Sequence, residues 1–195
     1  PPEPLPHVSA RVFDWLEREH GFLRRYLAVV RQAGHDYAYG YKTPRLLLPV
    51  LVDLYTHRVI HVHVIEENFL YPALRAKASP EQQRFVDLVA HDQHTEARTM
   101  RQLQQQLEGP PPDLRSEPVA ETCDYLARMI NRHIVFQEEH VYPLLETLTR
   151  EDEAKILQTF ARAEQKLMGS DGRGRTDALL AFIEAEIDRL AGRIW

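Results

Sequence analysis

The sequence has one cysteine, few glycines and no long apolar run, and each shortage excludes a class of protein. Among 195 residues there is a single cysteine, Cys123, so an internal disulfide is excluded and a reducing, cytoplasmic compartment is predicted. The eight glycines, together with the lack of an alternating apolar pattern, indicate an all-helical chain. No apolar stretch reaches the ~20 residues that a membrane span needs, so no membrane association is expected.

An excess of positive charge is also lacking. The 24 Lys and Arg residues are outnumbered by 29 Asp and Glu residues, which gives a net charge of -5. No stretch of the sequence is rich in basic residues, so a nucleic-acid partner is not expected. The length suits one sizeable hydrophobic core.

Apolar periodicity and helix-boundary residues predict an all-α fold, an up-down-up-down four-helix bundle with one or two extra C-terminal helices. We expect a disordered lead-in over residues 1–8, the bundle over 9–148, and a C-terminal helical extension packed on the bundle over 149–195. Ser9 is the expected N-cap of the first helix, and Pro49 is expected in the first turn of the second. A loop is expected from Gly34 to Pro44, and the four bundle helices at about 10–32, 45–76, 80–108 and 117–148.

Each of the four long predicted helices has a histidine near its middle, where the apolar pattern calls for a core residue. These histidines are His20, His63, His94 and His133. In a bundle with short loops, mid-helix residues of the four helices lie at one level. Imidazoles in a dry interior are costly unless a partner satisfies their nitrogen atoms, and a metal ion is such a partner.

Two carboxylates are expected at the same level as these histidines. Glu67 lies one helical turn after His63 on the same stripe, and Glu138 follows His133 by five residues. Because buried carboxylates without a counter-charge are strongly unfavourable, the pattern implies a cation. Mixed imidazole and carboxylate ligands suit iron, manganese or zinc, and carboxylates from two helices can bridge a pair of ions.

These motifs resemble those of the hemerythrin-like (HHE cation-binding) family. His20 resembles the histidine on that family's first helix, and His63 with Glu67 resembles the His-x3-Glu of its second helix. The Tyr-Pro-x-Leu that follows both His/Glu clusters is also similar to the family. The resemblance covers about residues 9–148.

The third and fourth helices match the family pattern with departures. His91-Asp-Gln-His94 resembles the third-helix histidine pair, but the two residues are three apart rather than four. His133 with Glu138 resembles the His-x4-Asp of oxygen carriers, whereas many bacterial relatives have His-x3-Glu, and Gln137 stands at that spacing here. If Gln137 faces the site in place of Glu138, one bridging carboxylate is lost.

The resemblance implies a non-haem centre of two iron ions with an oxo or hydroxo bridge, with zinc or manganese as alternatives. The predicted metal ligands are His20, His63, Glu67, His91, His94, His133 and Glu138. A second set of candidates contains His57, His61, Glu66 and Gln137. Of these, His61 is the alternative to His63, and His57 and His61 are also candidates for supporting the ligands or lining a dimer interface.

Three functions remain open at this point. The first is a di-iron protein that binds or senses O2 or a related small oxidant such as nitric oxide or peroxide. The second is a di-iron redox enzyme or an iron or nitrosative-stress repair protein, so the sequence does not decide whether the chain is an enzyme. The third is a regulatory interaction module whose metal is structural or absent. A second copy of the chain, or a redox or regulatory protein, is the expected protein partner.

Overall fold

The computed structural model describes residues 11–39, 42–108 and 117–191, and within these ranges the chain forms six helices and no strand. Four of them are regular α-helices: α1 Val12–Ala38, α3 Pro80–Glu108, α5 Arg150–Met168 and α6 Gly172–Ala191. The all-α prediction is therefore confirmed for the described residues. The predicted lead-in at 1–8 and the Ser9 cap lie outside them.

The helices α2 and α4 are continuous but change their winding along their length. In α2 the α-helical segments are Lys42–Leu54, Ile60–Ile65 and Tyr71–Arg75, and the π-helical turns between them are Tyr55–Val59 and Glu66–Leu70. In α4 the α-helical segment Glu117–Phe136 is followed by the π-helical turn Gln137–Val141 and the 3-10 segment Tyr142–Thr147. We call the three π-helical turns the wide turns, because each closes a backbone hydrogen bond over five residues instead of four.

A proline follows two of the three wide turns. Pro72 and Pro143 each come directly after the tyrosine whose N–H closes the wide turn. A proline has no N–H to donate, and its ring clashes with the carbonyl four residues earlier in an α-helix. The α-helical bonding pattern has to be interrupted at these points, and both helices interrupt it with a wide turn. In α4 the change into the 3-10 segment comes at Tyr142, directly before Pro143.

The first four helices form a closed ring of contacts, since α1 and α3 each pack against both α2 and α4. The up-down order of their directions stays a prediction. Their buried apolar side chains form two separate clusters, one built around Tyr26, Leu51 and Ile130 and the other around Leu16, Ile65 and Val141. No helix in the described part of the chain is both long enough and apolar enough to cross a membrane.

Two predicted helix boundaries are wrong. We expected a loop from Gly34, but α1 continues to Ala38 and Gly34 is buried inside it. A Cβ atom at Gly34 would lie 2.5 Å from the Cβ of Cys123, so this glycine permits α1 and α4 to approach closely and does not end the helix. Pro49 lies in the interior of α2 rather than its first turn, because α2 already begins at Lys42.

The C-terminal helix α6 packs against α1 and α2 around a buried ion pair. The Arg58 side chain in α2 is 2% exposed and donates through Nε and Nη2 to the carboxylate of Glu19 in α1, at 2.8 and 3.2 Å. Arg58 also donates to the Thr176 hydroxyl in α6, at 2.9 Å. Arg173 of α6 lies 2.9 Å from the same Glu19 carboxylate. One carboxylate therefore connects α1, α2 and α6.

We expect Arg58→Ala to lower the free energy of unfolding by about 3–5 kcal/mol, because the substitution removes one partner of a buried pair. Urea denaturation followed by circular dichroism measures this change. The matched control is Arg31→Ala, which removes an arginine from an exposed pair with Asp124 and should change the stability by at most about 1 kcal/mol. Equal losses for the two variants would contradict the structural role of the buried pair.

Candidate metal centre

A layer of polar side chains crosses the interior of the bundle between the two apolar clusters. All four ring helices contribute to this polar layer, and each member is at most 6% exposed. Its members are His20 from α1, His63 and Glu66 from α2, Gln93 and Glu96 from α3, and His133 and Gln137 from α4. Such groups are stable in an interior only when they are paired.

Glu96 lies between His63 and His133, and these three residues form one half of the layer. Nδ1 of His133 is 3.1 Å from Oε1 of Glu96, and Nε2 of His63 is 3.7 Å from Oε2 of Glu96. Both Glu96 oxygens and Nδ1 of His133 are fully buried, yet none of them makes a hydrogen bond of acceptable geometry. Buried polar atoms without a partner are rare in proteins and call for a partner such as an ion or a water.

The electrostatics of this half differ among its three side chains. Burial lowers the pKa of His63 to about 4, so at pH 7 the imidazole is neutral, which is the form that binds metals. Burial also raises the pKa of Glu96, but the neighbouring His133 and His63 outweigh that effect, and the pKa falls below its usual value. For His133, burial lowers the pKa, and the carboxylates of Glu96 and Glu66 outweigh it and raise the pKa overall.

Glu66 is the centre of the other half, and its oxygen atoms are fully satisfied. Nε2 of Gln93 donates to Oε2 of Glu66 at 2.5 Å, and Nε2 of Gln137 donates to Oε1 at 3.0 Å. The Tyr71 hydroxyl donates to Oε2 at 3.3 Å. Burial raises the pKa of Glu66 to about 7, and the hydrogen bonds offset only part of this shift. Glu66 therefore changes charge near neutral pH.

His20 connects the polar layer to the protein surface. Its Nε2–H donates to the side-chain carbonyl of Gln137 at 3.0 Å, and the Tyr142 hydroxyl donates to its Nδ1 at 2.8 Å. Glu138 is partly exposed at the rim, with Oε1 2.9 Å from the same Nδ1. Arg24 donates to both Glu138 oxygens, at 2.6 and 2.7 Å. A chain of close polar contacts thus runs from Arg24 on the surface through Glu138 and His20 to the buried amide of Gln137.

The predicted inward orientation of the two third-helix histidines is wrong. His91 and His94 are exposed, and the side chain of His94 is 68% exposed with Nε2 3.5 Å from Oε1 of Glu67. Gln93 and Glu96 occupy the inner positions instead. A sequence signal for them exists, because the buried residues of α3 follow alternating spacings of three and four. This series is Val86, Val89, Gln93, Glu96, Met100 and Leu103.

For each of the two predicted bridging carboxylates, the residue that faces the interior is the preceding one in the sequence. Glu67 is only half-buried, and its neighbour Glu66 faces the interior. Likewise Glu138 lies at the rim and Gln137 faces the interior. Spacing by heptads would have selected Glu66, which follows the buried Val59 by seven residues. The alternative that Gln137 replaces a carboxylate is the one that the structure shows.

The two remaining histidine candidates face outward. His57 is exposed and His61 is half-buried. Nδ1 of His57 donates to the carbonyl of Asp53 at 2.8 Å, and Nδ1 of His61 donates to the carbonyl of His57 at 3.1 Å. Both imidazoles are therefore held along the outside of α2 and do not join the polar layer. Of the predicted ligands, His20, His63 and His133 are in the layer, together with the second-set candidates Glu66 and Gln137.

In the described part of the chain, no three His, Cys, Asp or Glu side chains already surround one point as metal ligands. The donors of His63, Glu96 and His133 nevertheless fit an ion. Two donors bound to one ion at ~2.1 Å are about 3 Å apart, and the measured donor separations are 3.1 and 3.7 Å. Two imidazoles and one carboxylate are typical donors for non-haem Fe(II) and for zinc.

The chain was also compared with models of known protein families. The model of the hemerythrin HHE cation binding domain matches residues 11–145. The match contains the whole polar layer and ends before α5 and α6. No similar chain was found among curated proteins or among solved structures.

We expect Glu66→Gln to remove a pH dependence from the stability of the metal-free protein. Because folding raises the pKa of Glu66 from 4.5 to about 7, its favourable contribution is complete below pH 4.5 and is lost as the pH rises to about 7. Relative to Glu66→Gln, the wild type should therefore lose on the order of 3 kcal/mol between these pH values.

Urea unfolding of the chelator-treated proteins at several pH values from 4.5 to 8 measures this difference. Glu67→Gln is the matched control, since it makes the same change at the neighbouring residue, which is half-buried beside His94 and outside the polar layer. A difference between Glu66→Gln and wild type that does not change with pH would contradict the assignment.

Proposed function

The chain belongs to the hemerythrin HHE cation binding domain family, and from this premise we propose that it is a cytoplasmic non-haem iron protein that binds or senses a small oxidant such as O2 or nitric oxide. In this proposal His63, Glu96 and His133 hold the iron ion. One observation carries it: the two Glu96 oxygens and Nδ1 of His133 are buried without hydrogen-bond partners, and Nε2 of His63 from a third helix lies 3.7 Å from Glu96.

The number of side chains in the polar layer that are free to bind a metal favours one ion per chain over two. Two iron ions remain the prediction from the family resemblance. In the polar layer, however, Glu66 is satisfied by Gln93, Gln137 and Tyr71, and His20 is satisfied by Gln137 and Tyr142. Side-chain amides are weak replacements for the carboxylates and imidazoles that transition metals prefer. The carboxylate and imidazole atoms of the layer that lack partners all lie in the half that contains Glu96.

Iron is proposed rather than zinc because of the donor set and the surroundings. Two imidazoles with one carboxylate leave positions open for a further ligand, an arrangement typical of non-haem Fe(II) sites. Iron bound there would supply reversible redox chemistry and an open position for a diatomic molecule. The apolar clusters on both sides of the polar layer limit the access of water.

Tyr55 provides a hydrogen-bond donor for such a molecule. Its hydroxyl is buried beside this half of the layer and has no hydrogen-bond partner. The Tyr55 ring lies edge-on to the His63 ring, with centroids 6.4 Å apart. Burial, followed by the charge of Glu96, raises the pKa of Tyr55 well above its usual value, so the hydroxyl keeps its proton and can donate it to an acceptor.

The metal assignment is tested by the iron content of protein produced with an ample iron supply. We expect about one iron per chain in the wild type and a loss of at least about tenfold in iron affinity for His133→Ala or Glu96→Ala, since each removes a donor. The matched control is the double variant His91→Ala/His94→Ala. It replaces two exposed histidines and should leave the iron content unchanged.

Three results of the iron analysis would count against the proposal. Two irons per chain would support the dinuclear centre of the family resemblance. Zinc in place of iron would exclude redox function at this site, and metal-free wild-type protein would support an interaction module instead.

The ligand assignment is tested by Tyr55→Phe, which should retain iron. A hydrogen bond contributes about 1 kcal/mol, so nitric oxide should dissociate from the reduced variant about fivefold faster than from wild type. Stopped-flow absorption spectroscopy measures this rate. Tyr125→Phe is the control, because Tyr125 is half-exposed on α4, and its rate should equal that of wild type. Equal rates for all three proteins would exclude Tyr55 as the donor.

A further inference from the structure

Four arginines converge on one surface pocket at the junction between the ring of four helices and α6. The pocket has a volume of about 340 Å³. It is lined by Arg18, Gly21, Phe22 and Arg25 of α1, Arg58 of α2, and Arg173 and Asp177 of α6. We call it the arginine pocket.

The arginine side chains keep hydrogen-bonding capacity that the protein does not use. Arg18 donates only to the backbone carbonyl of Asp14 and has no ion-pair partner among the residues that the structure describes. Nε of Arg173 is buried and has no hydrogen-bond acceptor. The other guanidinium nitrogens of Arg173 pair with Glu19 and Glu164. The one acidic residue of the lining, Asp177, is 46% exposed and lies 3.8 Å from Arg58.

The other two arginines are held in place by carboxylates outside the lining. Arg25 makes a two-pronged pair with Glu184 of α6, with contacts of 2.9 and 2.5 Å. Arg58 is fixed by its buried pair with Glu19. Because these guanidinium groups are already oriented, a ligand that contacts them loses little side-chain freedom.

Gly21 provides an independent reason to regard the pocket as a binding site. It lies in the middle of α1, where a glycine costs about 1 kcal/mol relative to alanine. A Cβ atom added at Gly21 would meet no atom within 4 Å, so close packing does not explain the glycine. Gly21 lines the arginine pocket, so a large side chain at this position would take up part of its volume.

We propose that the arginine pocket binds an oxyanion of the phosphate class, either free phosphate or the phosphate group of a small molecule. The planar guanidinium group of arginine matches the oxygen atoms of phosphate in geometry and charge. The start of α6 adds to this, since helix N-termini favour anions and α6 begins at Gly172 beside Arg173. Binding would connect α1, α2 and α6 without involving the polar layer.

The test measures the unfolding temperature of the full-length protein against the concentration of inorganic phosphate, with sodium chloride added to keep the ionic strength constant. Specific binding raises this temperature along a saturable curve that gives a dissociation constant. A phosphomonoester, phosphoserine, is titrated in parallel. Tighter binding of phosphoserine than of phosphate identifies a phosphorylated small molecule as the ligand, and the reverse order identifies free phosphate.

Two variants separate charge from space. Arg18→Gln removes the unpaired guanidinium and should weaken phosphate binding about tenfold. Gly21→Leu keeps every charge but fills the pocket, and it should weaken binding by at least as much. Leucine is a better helix former than glycine, so this variant is expected to fold, which circular dichroism in chloride verifies. Arg84→Gln is the matched charge control, because Arg84 is an exposed arginine of α3 outside the pocket.

The expected result is saturable binding by wild type and Arg84→Gln and strongly weakened binding by the two pocket variants. Either of two results would overturn the proposal. In the first, chloride raises the unfolding temperature of the wild type to the same extent as phosphate does at equal ionic strength. In the second, Arg18→Gln and Gly21→Leu both respond to phosphate as the wild type does.

Discussion

The contact of the Glu96 carboxylate with the imidazoles of His63 and His133 is the constraint on which the arrangement of the four ring helices depends. A carboxylate that is fully buried in a helical interior is tolerable only if cationic or metal partners reach it from neighbouring helices. Here α2 and α4 supply those partners at the level of α3. The apolar clusters on either side then fix that level, because any sliding of one helix would bring polar groups against apolar ones.

The wide turns are the local backbone feature that supports this arrangement. Tyr55, Glu66 and Gln137 each begin a wide turn, and each of their side chains lies in or beside the polar layer. A π-helical turn inserts one residue without ending the helix, and such turns are frequent at functional sites. In α2 and α4 they occur where the helix passes the site, so regular α-helix is retained where the helices pack through apolar side chains.

Much of this arrangement could be predicted from local sequence patterns, and the errors have physical causes. His20, His63 and His133 replace core residues in clear apolar stripes, so their burial was predictable. Glu96 was missed although it continues the stripe of Val86 and Met100, because the nearby exposed histidines fit the family pattern. The choice of Glu67 over Glu66 arose because residues three and four positions apart both share a helix face.

Long-range pairs such as Glu19 with Arg58 leave no local signal in the sequence at all, and neither does the close approach that Gly34 permits. The two buried glutamines, in contrast, have a consequence for the history of the molecule. Glutamine codons differ from glutamate codons by a single base, and from histidine codons by a single base as well. Gln93 and Gln137 are therefore each one point mutation away from a strong metal donor. A lineage with this interior can exchange a hydrogen-bonded half for a metal-binding half without any change in helix length or packing.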